Sequence, residues 1–291
     1  MSQLQLTPAP KAFFLPTQHG PCFCLFHEPQ GSDKRGSILY LHPFAEELNA
    51  TRRIVAHQSR KLAQLGYGVL QVDMFGCGDS SGNFEDATWD KWIETARESY
   101  VWLTENSSNP VWLWGLRAGA LLASSLANEL GKNQQQAVNL LLWQPVTNGK
   151  QMLQQFLRLK DAGEWLGKRS ISTTPAEQSW ERGEVVEIAG YAISSQLAND
   201  LSRAKLIPPQ YINSGVLVWI EVSSHFTPTL SPASEKFIKL WRDAGWKTQT
   251  YAVSGSYFWQ NISTADAIAL CSTTSDAMAN PLEAVKAILS I

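Results

Sequence analysis

The sequence predicts an α/β protein built on a doubly wound, mostly parallel sheet. Two observations carry that prediction. Short apolar runs alternate with amphipathic helical stretches along the first half of the chain, and strands that read as continuous apolar runs are those buried on both faces of a parallel sheet. At the centre, Val111-Trp112-Leu113-Trp114-Gly115-Leu116-Arg117-Ala118-Gly119-Ala120 reads as a buried strand, a sharp turn bounded by two glycines and the start of an apolar helix.

Taken in order, Lys11–Leu15 and Cys22–His27 are β-rich and are joined through Gln18-His19-Gly20-Pro21, which predicts an antiparallel hairpin. Ser37–His42 predicts the first parallel strand, and Pro43–Asn49 a loop. Arg52–Leu65 has helical spacing at Ile54, Val55, Leu62 and Leu65 and is stopped by Gly66. A strand over Gly68–Asp73, a glycine-rich turn through Gly82 and a helix over Asp86–Leu103 follow. Beyond the central strand and helix, Asn139–Gln144 predicts another strand. From Thr147 to about Pro209 the pattern changes, with a helix near 151–160 and a short strand and helix within 185–205. This segment is expected to be an insertion lying over the sheet rim as a lid. The sheet resumes at Gly215–Val222, a helix spans 234–244, a last strand spans 247–253, and Pro281–Ile291 is expected to be a closing amphipathic helix. The chain thus divides into a first core segment (1–146), a lid (147–209) and a second core segment (210–291).

The 291 residues can bury a sizeable core, and 44% hydrophobic with 17% charged residues is ordinary globular composition. A net charge of −2 gives no reason to expect a nucleic-acid or anionic-membrane partner. No apolar run approaches the roughly 20 residues of a membrane span, and the polar, Pro-containing start is unlike a secretory signal. Cys22, Cys24, Cys77 and Cys271 are expected to be reduced thiols of a cytoplasmic protein. His, Cys, Asp and Glu do not cluster at ligand spacing, so no metal is expected. Gly76-Cys77-Gly78 lacks the third glycine and the helix of a dinucleotide fingerprint, so no cofactor is expected.

The central strand, turn and helix have the form of a nucleophile elbow, Gly-x-Ser-x-Gly, of the α/β-hydrolase fold. Four strings narrow the likeness: His42-Pro43-Phe44-Ala45-Glu46-Glu47-Leu48-Asn49 with Arg52-Arg53, Asp73-Met74-Phe75-Gly76-Cys77-Gly78-Asp79-Ser80, Leu113–Ala120, and Leu142-Trp143-Gln144-Pro145-Val146. These resemble the exosortase A system-associated hydrolases of type 2. The order of elements resembles the α/β-hydrolase fold along most of the chain, and the likeness of these strings implies a setting in envelope sorting or exopolysaccharide export.

The chemistry expected of such an elbow is interrupted. Its middle residue is Arg117, whose guanidinium stays protonated and cannot attack. The acid position falls at Glu221. All five histidines precede the last strand, and the catalytic His position falls in Ser256-Tyr257-Phe258-Trp259. The oxyanion donors would be the Ala118 and Phe44 amides, because Pro43 has none to give. A cation at a helix start calls for a negative partner. Two readings stand: an internal salt bridge to Glu47 or Glu46, or an anionic ligand held by Arg117, the Ala118 and Phe44 amides and neighbouring groups including Tyr257. The remaining candidates for chemistry are a Cys77–His42 pair and a base at His225 beside Glu221. Trp165, Trp180 and Trp259 are candidates to line a pocket. The functional expectation is a nominal ester or acyl hydrolase without a Ser-His-acid triad that binds an anionic or acyl-containing small molecule. The other class is a non-catalytic interaction protein, a pseudo-hydrolase of the exosortase or exopolysaccharide machinery.

Overall fold

The computed structural model describes residues 8–107, 110–134, 138–165, 176–211, 215–260 and 267–281. Strands β1 (Lys11–Leu15), β2 (Cys22–His27), β3 (Gly36–Leu41), β4 (Tyr67–Val72), β5 (Val111–Leu116), β6 (Asn139–Trp143), β9 (Val216–Ser223) and β10 (Lys247–Ser254) form one sheet. Its order is β1-β2-β4-β3-β5-β6-β9-β10. The hairpin β1–β2 is antiparallel, as expected, and β2 is antiparallel to β4; every other neighbouring pair is parallel. The fold is the α/β-hydrolase fold.

Helices cover both faces. On one side α2 (Trp89–Asn106) and α3 (Gly119–Gln134) bury Trp92, Ala96, Leu121 and Leu126 against Leu39, Leu70 and Leu113. On the other, α1 (Glu46–Gln64) and α8 (Ile268–Ala279) bury Val55, Leu62, Leu270 and Met278 against Ile38, Trp112 and Val218. The alternation of side chains along β3, β5 and β9 divides these two cores, so each strand is apolar on both faces.

Three elements depart from the sequence expectation. Helix α1 begins at Glu46 and not at Arg52, because Ala45 turns the chain at φ 52° and the Glu46 and Glu47 carboxylates suit a helix N-terminus. Helix α8 was not expected: its Ile, Ala, Ser and Thr residues carry no polar–apolar stripe, and only packing against α1 and the sheet marks it. The closing helix expected over 281–291 lies, beyond Pro281, outside the described residues.

The connection from β6 to β9 carries α4 (Gly149–Trp165), α5 (Ala176–Glu181), a hairpin of β7 (Val186–Ile188) and β8 (Tyr191–Ile193), and α6 (Ser195–Arg203). A bridge between Asn148 and Lys205 ties its two ends. It packs on the carboxyl rim of the sheet through aromatic contacts: Phe156 of α4 on Phe44 at 5.2 Å, and Tyr191 on Phe84 at 5.1 Å. Trp180 is core to this segment, its indole N–H donating to the Ile193 carbonyl at 3.1 Å.

Candidate functional site

The elbow is retained as geometry. A Cβ on Gly119 would lie 2.1 Å from the Leu41 carbonyl oxygen, and one on Gly115 would lie 2.6 Å from the Ala120 Cα. Neither backbone can move away, so both positions demand glycine. Between them Arg117 holds φ at 53°, a left-handed conformation costly for any residue with a Cβ. Its amide donates to the Trp143 carbonyl at 3.0 Å and its carbonyl accepts from Val146 and Ala120, which fixes the turn against β6 and α3.

Arg117 is taken up by the protein on two sides. Its Nε donates to Glu47 Oε1 at 3.1 Å, with both side chains only 15% exposed. The guanidinium also stacks on the Trp259 ring, 5.0 Å from the centroid. Tyr257 in turn packs on Trp259 with ring centroids 5.0 Å apart. Thus Trp259 covers the elbow from the segment after β10. Nε is the only Arg117 side-chain atom bonded within the described residues. The second oxygen of Glu47 and one oxygen of Glu46 are buried without a partner. Burial pushes the Glu47 carboxyl up from its ordinary value while Arg117 pulls it back; burial and, secondarily, Glu47 push Glu46 up to about 7. The amides of Ala118 and Phe44 donate to no acceptor among the described residues.

The other candidates are brought elsewhere. His42 is fully enclosed: its Nδ1 donates to the Pro43 carbonyl at 2.7 Å, and its Nε2 accepts the Met74 amide at 3.2 Å. Both ring nitrogens are engaged, and burial pulls its pKa down, so the ring is held neutral. Cys77 is buried, its thiol pushed up by desolvation and by Asp73, and it makes no hydrogen bond to His42. The Cys77–His42 pair is therefore not assembled, because each side chain is satisfied or desolvated inside its own loop. Glu221 accepts the Ser231 amide at 3.1 Å and braces the loop before α7 (Pro232–Asp243). His225 is exposed, its amide bonded to the Ser223 hydroxyl, and its ring makes no hydrogen bond or ion pair with Glu221. Trp165 lies at the end of α4, where side chains are outside the described positions.

One charged pair at the rim was not read from the sequence. Arg52 of α1 grips Asp73 with two parallel bonds of 3.1 and 3.0 Å, and Asp73 also accepts the Asp79 amide. A Cβ on Gly78 would meet that carboxylate at 2.0 Å, so the glycine-rich turn after β4 is wrapped around the pair. A cation nearly two turns into α1 opposite the Asp that follows β4 was the available signal. Among the described residues no group of His, Cys, Asp and Glu could hold a metal ion.

No family model matches the chain. A stretch of 114 residues is 32% identical to the lysophosphatidylserine lipase ABHD12 of Xenopus tropicalis, covering 38% of this chain and 28% of that one. The Bos taurus protein of the same name is 31% identical over 127 residues, 43% of this chain and 30% of that one. The chain thus spans less than a third of the length of these relatives. Similar solved structures include Est1E from Butyrivibrio proteoclasticus with ferulic acid bound, at a TM-score of 0.60 and 15% identity, covering 92% of this chain and 97% of that one. A soluble variant of monoglyceride lipase from Saccharomyces cerevisiae matches at 0.60 and 14%, covering 95% and 96%. This is an α/β-hydrolase-fold protein. Among the described residues no helix is long and apolar enough to cross a membrane.

Proposed function

We propose that this protein is a nominal hydrolase that binds an acyl-bearing anion at its elbow and does not perform serine-triad acyl transfer. The observation that carries the reading is Arg117 itself, held at φ 53° in the nucleophile position with its Nε on Glu47 and its face on Trp259. A guanidinium there supplies charge and bidentate donors but no nucleophile. The absence of a working triad is supported by the contacts of the two other candidate positions: Glu221 accepts the Ser231 amide, and Trp259 stacks on Arg117.

The anion preference is supported by the guanidinium, the unspent Ala118 and Phe44 amides and the start of α3. The acyl preference is supported by Phe44 and Phe84, which pack on Trp92 and against Phe156 and Tyr191 of the 147–209 segment, which we treat as the lid. The relatives' name, lysophosphatidylserine lipase, describes an anionic acyl substrate for those proteins and fits the same chemistry. The four strings that resemble exosortase-associated hydrolases support an envelope or exopolysaccharide setting.

Calorimetry with octanoate, and with octanol as the uncharged control, tests the reading. Octanoate is expected to bind and octanol not to. Arg117→Met combined with Glu47→Gln should weaken octanoate at least tenfold, whereas Glu47→Gln alone should tighten it by removing the repulsion of the neighbouring carboxylate. Equal binding of octanoate to the double variant overturns the proposal. A p-nitrophenyl ester panel supplies the opposing reading: turnover abolished by Glu47→Gln or His42→Ala would establish an enzyme acting through other groups.

A further inference from the structure

We propose a second binding site, independent of the elbow, in the groove between α1 and α8, for a small phosphate monoester with a compact apolar group. The groove encloses about 280 Å³ on the face of the sheet opposite α3. One wall is a cationic stripe of Arg53, His57 and Lys61, four residues apart along α1 and so on one side of the helix. The floor is apolar, formed by Ile54, Ala267 and Cys271, and Ile268 at its lip is 71% exposed.

Among the described residues the stripe has no internal counter-charge: neither Arg53, His57 nor Lys61 pairs with a carboxylate. The neighbouring thiol supplies none either, since burial pushes Cys271 up to about 11 and keeps it neutral. Burial, then Lys61 and Arg60, pull His57 below its ordinary value, as expected in an uncompensated positive field. The acid on α8 is Asp276, five residues beyond Cys271 and so about 7.5 Å further along the helix axis. The acids of α1 itself are Glu46 and Glu47 in its first turn, with Glu47 committed to Arg117.

Two fixed positive charges and an imidazole suit a phosphate dianion, Arg53 offering a fork of donors and Lys61 a point charge. The apolar floor and the bare Ile268 suit a substituent on the phosphate. A volume just under the roughly 300–1,000 Å³ of ordinary ligand pockets sets the ligand as a small molecule and not a polymer.

Phenyl phosphate is the probe, with inorganic phosphate and phenol as controls, measured by calorimetry and by the His57 imidazole resonances. Phenyl phosphate is expected to bind more tightly than either control and to shift His57. Arg53→Gln with Lys61→Gln, both surface changes checked by thermal melting, should weaken it at least tenfold. Ile268→Ser, which removes the apolar contact without adding charge, should weaken phenyl phosphate and leave inorganic phosphate unchanged. The elbow variant Arg117→Met/Glu47→Gln should stay within twofold of the wild type. Unchanged affinity in Arg53→Gln/Lys61→Gln, loss of binding in the elbow variant, or equal affinity for inorganic phosphate each overturns the proposal.

Discussion

Removing Arg117 should expose how much of the elbow rests on its ion pair with Glu47. The two side chains are each 15% exposed and meet at 3.1 Å. Arg117→Met leaves the Glu47 carboxylate buried with neither oxygen partnered, since the second is already orphaned. Breaking one partner of such a buried pair costs about 3–5 kcal/mol, and the lost stacking on Trp259 adds about 0.5–2 kcal/mol. Glu47→Gln keeps an oxygen for the Arg117 Nε and should cost less, about 1–2 kcal/mol. The double variant Arg117→Met/Glu47→Gln removes the orphaned charge and should be more stable than Arg117→Met alone, giving a coupling of about 2 kcal/mol. Urea denaturation of the four proteins at pH 5 and pH 8 measures the cycle. The sign of its pH dependence is fixed by Glu47. Its folded pKa is raised above the ordinary 4.5, so its contribution is fully present below that value and is lost as pH climbs through the raised folded value. Without Arg117 the principal opposing pull disappears and the folded pKa rises further, so the Arg117→Met deficit should be larger at pH 8 than at pH 5. A coupling near zero, or a deficit equal at both pH values, would refute the placement of an ionised Glu47 against the guanidinium.

Glu46 has its folded pKa raised from 4.5 to about 7, so wild type should lose stability between about pH 5 and pH 8; at ~1.4 kcal/mol per unit, and halved for partial exposure, the loss is about 1–2 kcal/mol. Glu46→Gln should flatten that slope, and an unchanged slope in urea midpoints would assign it to another group. Gly119→Ala places a methyl 2.1 Å from a backbone oxygen and should cost 3 kcal/mol or more on the order of severe overpacking, whereas Gly183→Ala, in open space at φ 80°, should cost only about 1–2 kcal/mol of backbone strain. Thermal melts of the two variants that coincide would remove the steric argument for the elbow glycines. Native protein at pH 7 should resist iodoacetamide, since Cys22, Cys24, Cys77 and Cys271 are all buried, and burial pushes Cys24 to about 12 and Cys77 up as well. All four thiols should label in urea, and fast native labelling at Cys77 would revive a thiolate at the rim.

The parallel strands were legible because each is apolar on both faces, and Ser37–His42 or Asn139–Gln144 admit no alternating pattern. The elbow was legible because Gly115 and Gly119 meet backbone atoms, a constraint that leaves a sequence mark whatever stands between them. An internal bridge to Glu47 or Glu46 was one of two readings, and the choice of Glu47 depended on where α1 begins. That beginning was hidden, since Ala45 takes a left-handed φ without the glycine that would announce it. The satisfaction of His42 was equally hidden. Its partners are the backbone groups of Pro43 and Met74, and backbone partners carry no residue signature. Helix α8 is held by burial of Leu270, Cys271 and Met278 against α1 and the sheet, a tertiary effect that a twelve-residue stretch of small side chains does not advertise.

The elbow keeps a strained backbone although the group it displays cannot attack, and electrostatics gives the strain a use. A cation ahead of α3 is unfavourable by itself, because the first amides of that helix already present partial positive charge. Glu47 corrects this from the first turn of α1, where a carboxylate is favoured by its own helix, so one negative charge serves two helix starts and the guanidinium between them. At about 3 Å and an effective dielectric near 20, such a charge is worth several kcal/mol to its partner, less its desolvation. Any external anion must therefore compete with Glu47 for Arg117 or use the donors that Glu47 leaves free. The second route is the cheaper one, because among the described residues only Nε is spent and the Ala118 and Phe44 amides have no acceptor. A ligand bound this way would leave the Arg117–Glu47 ion pair intact.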